Sequence, residues 1–143
     1  AGTLWEQTAA PQLWLSGGIG ITPFRSIMRE LLHQHAPLDI THIHSDRSRA
    51  SVPFLQEFEA YASEHEGYRF VTTMTRESAT SSPRGRITGG MITVHAPQLA
   101  DSDCFVVGTD SFVASMRQVL SALGVPASQV RTERFDGYKI NDD

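Results

Sequence analysis

The residues best placed to do chemistry are Gly17, Gly18, Gly20, Thr22 and Pro23, set in the string Gly-Gly-Ile-Gly-Ile-Thr-Pro directly after the apolar run Leu13-Trp14-Leu15. Glycines admit backbone close to a ligand where a Cβ would block it. The N–H groups of a helix's first turn carry partial positive charge that suits a phosphate or pyrophosphate. Gly18 and Gly20 fit the first two positions of a G-x-G-x-x-G dinucleotide fingerprint, and Pro23 stands where the third glycine would be. Thr22 adds a hydroxyl that can cap the helix or bond a phosphate or amide. The arginines form a second group: Arg47, Arg76, Arg84 and Arg86 fall in polar loops. A guanidinium is the favoured bidentate partner of a phosphate dianion, although such residues also serve as solvated loop cations. Asp46 pulls the other way, because a carboxylate beside an adenosine ribose suits NAD(H).

These residues need a scaffold of alternating strands and helices. Residues 12–16 read as a strand, 23–35 as a helix with Phe24, Ile27, Met28 and Leu31 at helical spacing, and 38–44 as a second strand. Residues 45–51 read as a loop, 52–65 as a second helix, and 68–74 as a third strand rich in aromatic and β-branched residues. A long polar loop over 75–85 leads to a short helix over 88–95. The continuous apolar run 104–108 reads as a strand buried on both faces. A helix over 111–123 and a last strand over 130–135 follow. The class is α/β: a doubly wound, five-stranded parallel sheet with helices on both faces. In such a sheet ligands bind at the carboxyl ends of the strands, where the glycine turn and the arginine loops fall.

Composition excludes several classes. The 143 residues suffice for one domain with a single core. A net charge of −4 argues against non-specific nucleic-acid binding. No apolar run approaches the roughly 18 residues of a membrane span, and no signal-peptide pattern is present. The one cysteine, Cys104, has no disulfide partner in the chain, reads as a buried thiol, and fits a reducing, cytoplasmic setting. Of the histidines, His33, His35, His65 and His95 fall at helix ends. His42 and His44 alternate on one strand with no evident metal-site partner, and His44 is placed to approach an adenosine.

With these motifs in order, the chain from about Gln12 to Tyr138 resembles the pyridine-nucleotide domain of ferredoxin–NADP reductase-like flavoenzymes. Gly17 to Pro23 match that family's Gly-Gly-x-Gly-x-Thr-Pro opening, Phe105 to Gly108 its fourth strand and turn, and Glu133-Arg134-Phe135 its closing Glu-x-Phe. The chain departs at Val107-Gly108-Thr109, where the family usually writes Cys-Gly-Pro near the reacting nicotinamide carbon. Cys104 lies too early in the strand to replace that cysteine. The resemblance implies strand order 3-2-1-4-5, and NADP(H) as cofactor with NAD(H) the alternative. It implies cofactor contacts at the glycine turn, at His44, Arg47, Thr75, Arg76 and Arg84, at Gly108, Thr109 and Asp110, and at Glu133 and Phe135, the last beside a flavin ring. No catalytic residue and no metal ligand is implied, since the cofactors carry the chemistry.

The family's flavin site lies in a separate β-barrel, and nothing here matches its Arg-x-Tyr-Ser motif. Residues 1–11 therefore read as a linker or the end of a missing flavin-binding domain, and 12–143 as the NAD(P)-binding domain. The implied parent is an NAD(P)H-dependent flavin oxidoreductase that passes hydride to FAD and electrons to a ferredoxin or another one-electron acceptor. The isolated domain is expected to bind nucleotide and catalyse nothing. Three other readings stay open: the reductase arm of a membrane ferric-reductase or NADPH-oxidase-like protein, a subunit of a larger electron-transfer complex, and a non-catalytic nucleotide-binding module.

Overall fold

The computed structural model describes residues 10–75 and 86–135. The strands β1 (Gln12–Gly17), β2 (Ile40–Asp46), β3 (Tyr68–Met74), β4 (Asp103–Thr109) and β5 (Val130–Phe135) form one sheet in the order β3-β2-β1-β4-β5. Every neighbouring pair is parallel. The helices α1 (Thr22–His33), α2 (Leu55–Glu64), α3 (Gly89–His95) and α4 (Asp110–Ala122) connect them. The strand order is the one the family resemblance implies, and the parallel direction the one the alternation of strands and helices implies.

Alternation along the strands divides the core in two. Leu13, Leu15, Cys104 and Val106 face α3 and α4, where Met91, Ile92, Val113, Met116 and Leu120 cover them. Trp14, Phe105 and Val107 face the other way, under Phe24, Ile27, Met28 and Leu31 of α1 and Phe58 of α2. Trp14 stacks on Phe24 with ring centroids 4.7 Å apart. Burial raises the Cys104 thiol to about 12, so it packs as an inert apolar group.

The boundaries differ from the expectation most at β2 and α2. β2 begins at Ile40 and runs on through Ser45 and Asp46, because β1 and β3 extend alongside: Gly17 pairs with Ser45, and Asp46 with Met74. Leu38 lies outside the strand, its carbonyl against Gly67, where an added Cβ would come within 2.2 Å. α2 begins at Leu55 rather than Val52. Pro53 favours extended backbone in Val52 (φ −72°, ψ 116°), and Phe54 takes a left-handed φ of 59° before the helix starts.

Candidate functional site

β1 is flanked by β2 on one side and β4 on the other, so the connections leaving β1 and β4 diverge and a cleft opens at the carboxyl edge between them. The cleft encloses about 500 Å³ and is lined by Gly17, Gly18 and Ile19 from the first turn, with Ser45, Asp46 and Arg47 following on the β2 side. Thr75, Thr109, Phe112 and Phe135 complete it. A second groove of about 330 Å³ adjoins it, sharing Ser45, Thr75 and Phe112 and adding Arg86, Ser111 and Ser115. Hydroxyls and a guanidinium make this extension suited to an anionic, hydrogen-bonding ligand.

The glycines have separate tasks. Gly18 opens a short 3₁₀ turn (Gly18–Ile21), has a left-handed φ of +55°, and has nothing within 4 Å of where a Cβ would sit. Its backbone therefore faces open space at the cleft. Gly20 instead packs against β4: a Cβ there would meet the Val107 carbonyl oxygen at 2.2 Å. Gly17 and Gly108 make room for the Phe112 ring, which would lie 2.9 Å from a Cβ on Gly17 and 2.5 Å from one on Gly108.

The other expected positions fall into four sets, with His44 apart from them. Arg47, Thr75, Thr109 and Phe135 line the cleft together with the glycines. Thr109 also caps α4, its Oγ1 accepting from the Phe112 N–H at 3.3 Å. Thr22 and Pro23 form the first turn of α1 behind the glycine turn, and α1 has no side-chain cap, so the Thr22 hydroxyl is not used that way. Asp110 and Glu133 do not line the cleft: Asp110 lies 4.0 Å from Arg134 on the surface, and Glu133 is exposed on β5. Arg76 and Arg84 lie outside the described residues.

His44 is fully buried beneath the cleft floor rather than on it. Ser16 Oγ lies 2.7 Å from His44 Nδ1 and 2.8 Å from His42 Nε2. His44 Nε2 lies 3.0 Å from Asp46 Oδ2, and His42 Nδ1 lies 2.7 Å from the Tyr68 hydroxyl. Burial, and then the neighbouring His44, hold His42 well below the usual imidazole range, so its ring is neutral. Among the described residues no group of His, Cys, Asp and Glu could hold a metal ion.

The site thus contains residues that sequence reasoning did not select. Phe112 reads as an inner-face helix residue, yet its ring spans Gly17 and Gly108. Ser16 lies between the two histidines, and Asp46, singled out in the sequence as a ribose partner, is the partner of His44. The available signal was alternation: His42, His44 and Asp46 sit at every second position of β2 and so share a face.

The model of the oxidoreductase NAD-binding domain family matches residues 14–118. The glycine betaine monooxygenase reductase subunit of Chromohalobacter salexigens is 28% identical over 127 residues, spanning 86% of this chain and 34% of that protein. Ferredoxin–NADP reductase B of Sorangium cellulosum is 30% identical over 138 residues, spanning 89% of this chain and 55% of that protein. The chain therefore spans about a third to about half the length of these curated relatives. Among solved structures, the FAD/NAD-binding domain of nitric oxide dioxygenase from Vibrio cholerae O1 biovar El Tor agrees in fold, with a TM-score of 0.78, 24% identity, and coverage of 90% of this chain and 52% of that one.

Proposed function

The chain belongs to the oxidoreductase NAD-binding domain family, and we propose that it is the pyridine-nucleotide half of a flavin-dependent oxidoreductase whose FAD site lies in another domain. The observation that carries this reading is Gly18, a left-handed residue with open space before it at the switch point between β1 and β4. A dinucleotide needs bare backbone at that point for its pyrophosphate.

On this reading residues 12–143 are the NAD(P)-binding domain and residues 1–11 lead from the flavin domain. The pyrophosphate lies over Gly18 to Thr22. The adenosine end would meet Arg47 at the end of β2, with Arg86 in the adjoining groove as a further cation, and Arg76 and Arg84 are assigned to the 2′-phosphate of NADP(H) by the family resemblance. Gly108, Thr109 and Phe135 would hold the nicotinamide end, and Phe135 would cover it on the flavin's side. In the complete protein the cofactors supply the hydride transfer, from nicotinamide to FAD, and the release of electrons to a ferredoxin or similar one-electron acceptor. The residues of this chain bind, orient and shield; Phe112 and Phe135 give the cleft its apolar walls. The relatives named above serve different systems, which fits an acceptor chosen by parts of the protein outside this domain.

Calorimetric titration of the 143-residue chain with NADP⁺ and NAD⁺ in parallel tests the proposal. Binding of NADP⁺ more tightly than NAD⁺ is expected. Equal affinities would overturn the role given to the arginines, and no binding of either would overturn the function.

A further inference from the structure

The buried part of the sheet face under α1 and α2 is apolar except along one line. Tyr68 of β3, His42 of β2, Ser16 of β1, and His44 and Asp46 of β2 form one chain of side-chain contacts, each between 2.7 and 3.0 Å. Ser16, His42 and His44 have no solvent exposure, and Tyr68 has 1%. The rings of Trp14, Phe24, Phe58 and Phe70 surround His42. Residues at such positions are ordinarily apolar, and a buried polar network stabilises only when every member is satisfied.

Here every member is satisfied, and the end at Asp46 has a fixed polarity. The Asp46 carboxylate only accepts: Oδ1 from the Arg47 backbone N–H at 2.9 Å, and Oδ2 from His44 Nε2–H at 3.0 Å. His44 Nδ1 and the Ser16 hydroxyl share the next hydrogen bond, at 2.7 Å. The His42 ring bridges the Ser16 and Tyr68 hydroxyls, donating to one and accepting from the other. Among the described residues the one buried side-chain polar atom left without a partner is Thr73 Oγ1, which is not in this chain. Four members are sealed in the core, and the fifth, Asp46, reaches the cleft and holds the backbone of Arg47.

We propose that His44 and Asp46 are positioning residues for ligand binding: the wire from Tyr68 fixes the Asp46 carboxylate, which fixes the turn from which Arg47 enters the cleft. The inference rests on the reading of that cleft as a dinucleotide site with Arg47 as a phosphate ligand. It gives a buried polar line in an otherwise apolar core a reason to exist, and assigns Asp46 a part distinct from accepting the ribose hydroxyls.

Two measurements test it. In a two-bond ¹H–¹⁵N spectrum of the 143-residue chain, His44 carries a proton on Nε2, facing Asp46, and His42 is singly protonated; a His44 Nε2 without a proton, or a doubly protonated His42, overturns the wire. In titrations, Asp46→Asn weakens NADP⁺ by about tenfold, because an amide turned to accept from His44 presents a donor to the Arg47 N–H. Removal of a negative charge beside Arg47 would by itself tighten an anion, so unchanged or tighter binding overturns the positioning role. The pair His44→Leu and His44→Gln carries the same test should Asp46→Asn not fold. Leucine removes the donor to Asp46 and loses affinity, whereas glutamine supplies one donor and one acceptor and retains it; equal affinities of the two overturn the proposal. A wild-type chain that binds neither NADP⁺ nor NAD⁺ overturns the reading of the cleft and the positioning role with it, while the tautomers still report on the wire.

Discussion

Gly18 and Gly20 are two residues apart and resist substitution for different reasons. Gly18→Ala places a side chain in empty space and strains a left-handed backbone, a cost of about 1–2 kcal/mol. Its larger effect falls on dinucleotide affinity, where at least about a tenfold loss is expected from a Cβ at the pyrophosphate position. Gly20→Ala drives a methyl into the Val107 carbonyl and destabilises the fold by about 1–3 kcal/mol or more. Denaturation and titration of the two variants separate these outcomes: similar losses of stability with no difference in affinity would refute the division of labour. Arg47→Ala is expected to weaken NADP⁺ by about 1.5–3 kcal/mol, the worth of a charged hydrogen bond, and to leave NAD⁺ unchanged; an equal loss for both would place Arg47 elsewhere than at the 2′-phosphate. The glycine motif named its ligand class from sequence, because bare backbone before a helix has few other uses. It could not say which glycine faces the ligand, since that depends on how closely β4 approaches.

At the scale of elements, the cleft depends on how α4 is started. Thr109 accepts from the Phe112 N–H, and Phe112 wedges between Gly17 and Gly108. Thr109→Ala is therefore expected to cost about 1 kcal/mol through loss of the cap, and to weaken dinucleotide binding by loosening Phe112. A variant of unchanged stability in urea would contradict this. The elements themselves were legible wherever periodicity was strong, as in α1, α4 and β4. They were less legible in β2, where His42, His44 and Asp46 interrupt the apolar run. The interruption is the buried wire: polar residues satisfied by partners on β1 and β3 look, in sequence, like the end of a strand. Phe112 packs against the core as helical spacing implies, but periodicity reports which face is inward and not that the first turn overhangs a cleft.

For the molecule as a whole, the sheet order follows from family resemblance and alternation together, while the joining of cleft and buried wire follows only from register. Ionisation links that interior to stability. The folded chain keeps His42 neutral, so the unfolded chain takes up the extra proton first, and stability falls as pH drops below 6.5. The folded chain also holds the Cys104 thiol protonated up to about 12, against an ordinary value of 9.0. That contribution is present in full below pH 9.0 and is lost as pH rises from there toward 12. Urea midpoints across this range are expected to peak between these limits; a midpoint that keeps rising below pH 6 would contradict the buried neutral His42. Among the described residues no helix is long and apolar enough to cross a membrane. The central claim is that a pyridine dinucleotide lies at the carboxyl edge of the sheet, and amide shift mapping of the ¹⁵N-labelled chain during NADP⁺ addition tests it most directly. The account predicts perturbations at Gly18, Ser45, Arg47, Thr75 and Thr109. Absence of shifts, or shifts confined to the groove at the opposite edge around Gln12, Arg69, His95 and Gln98, would contradict it.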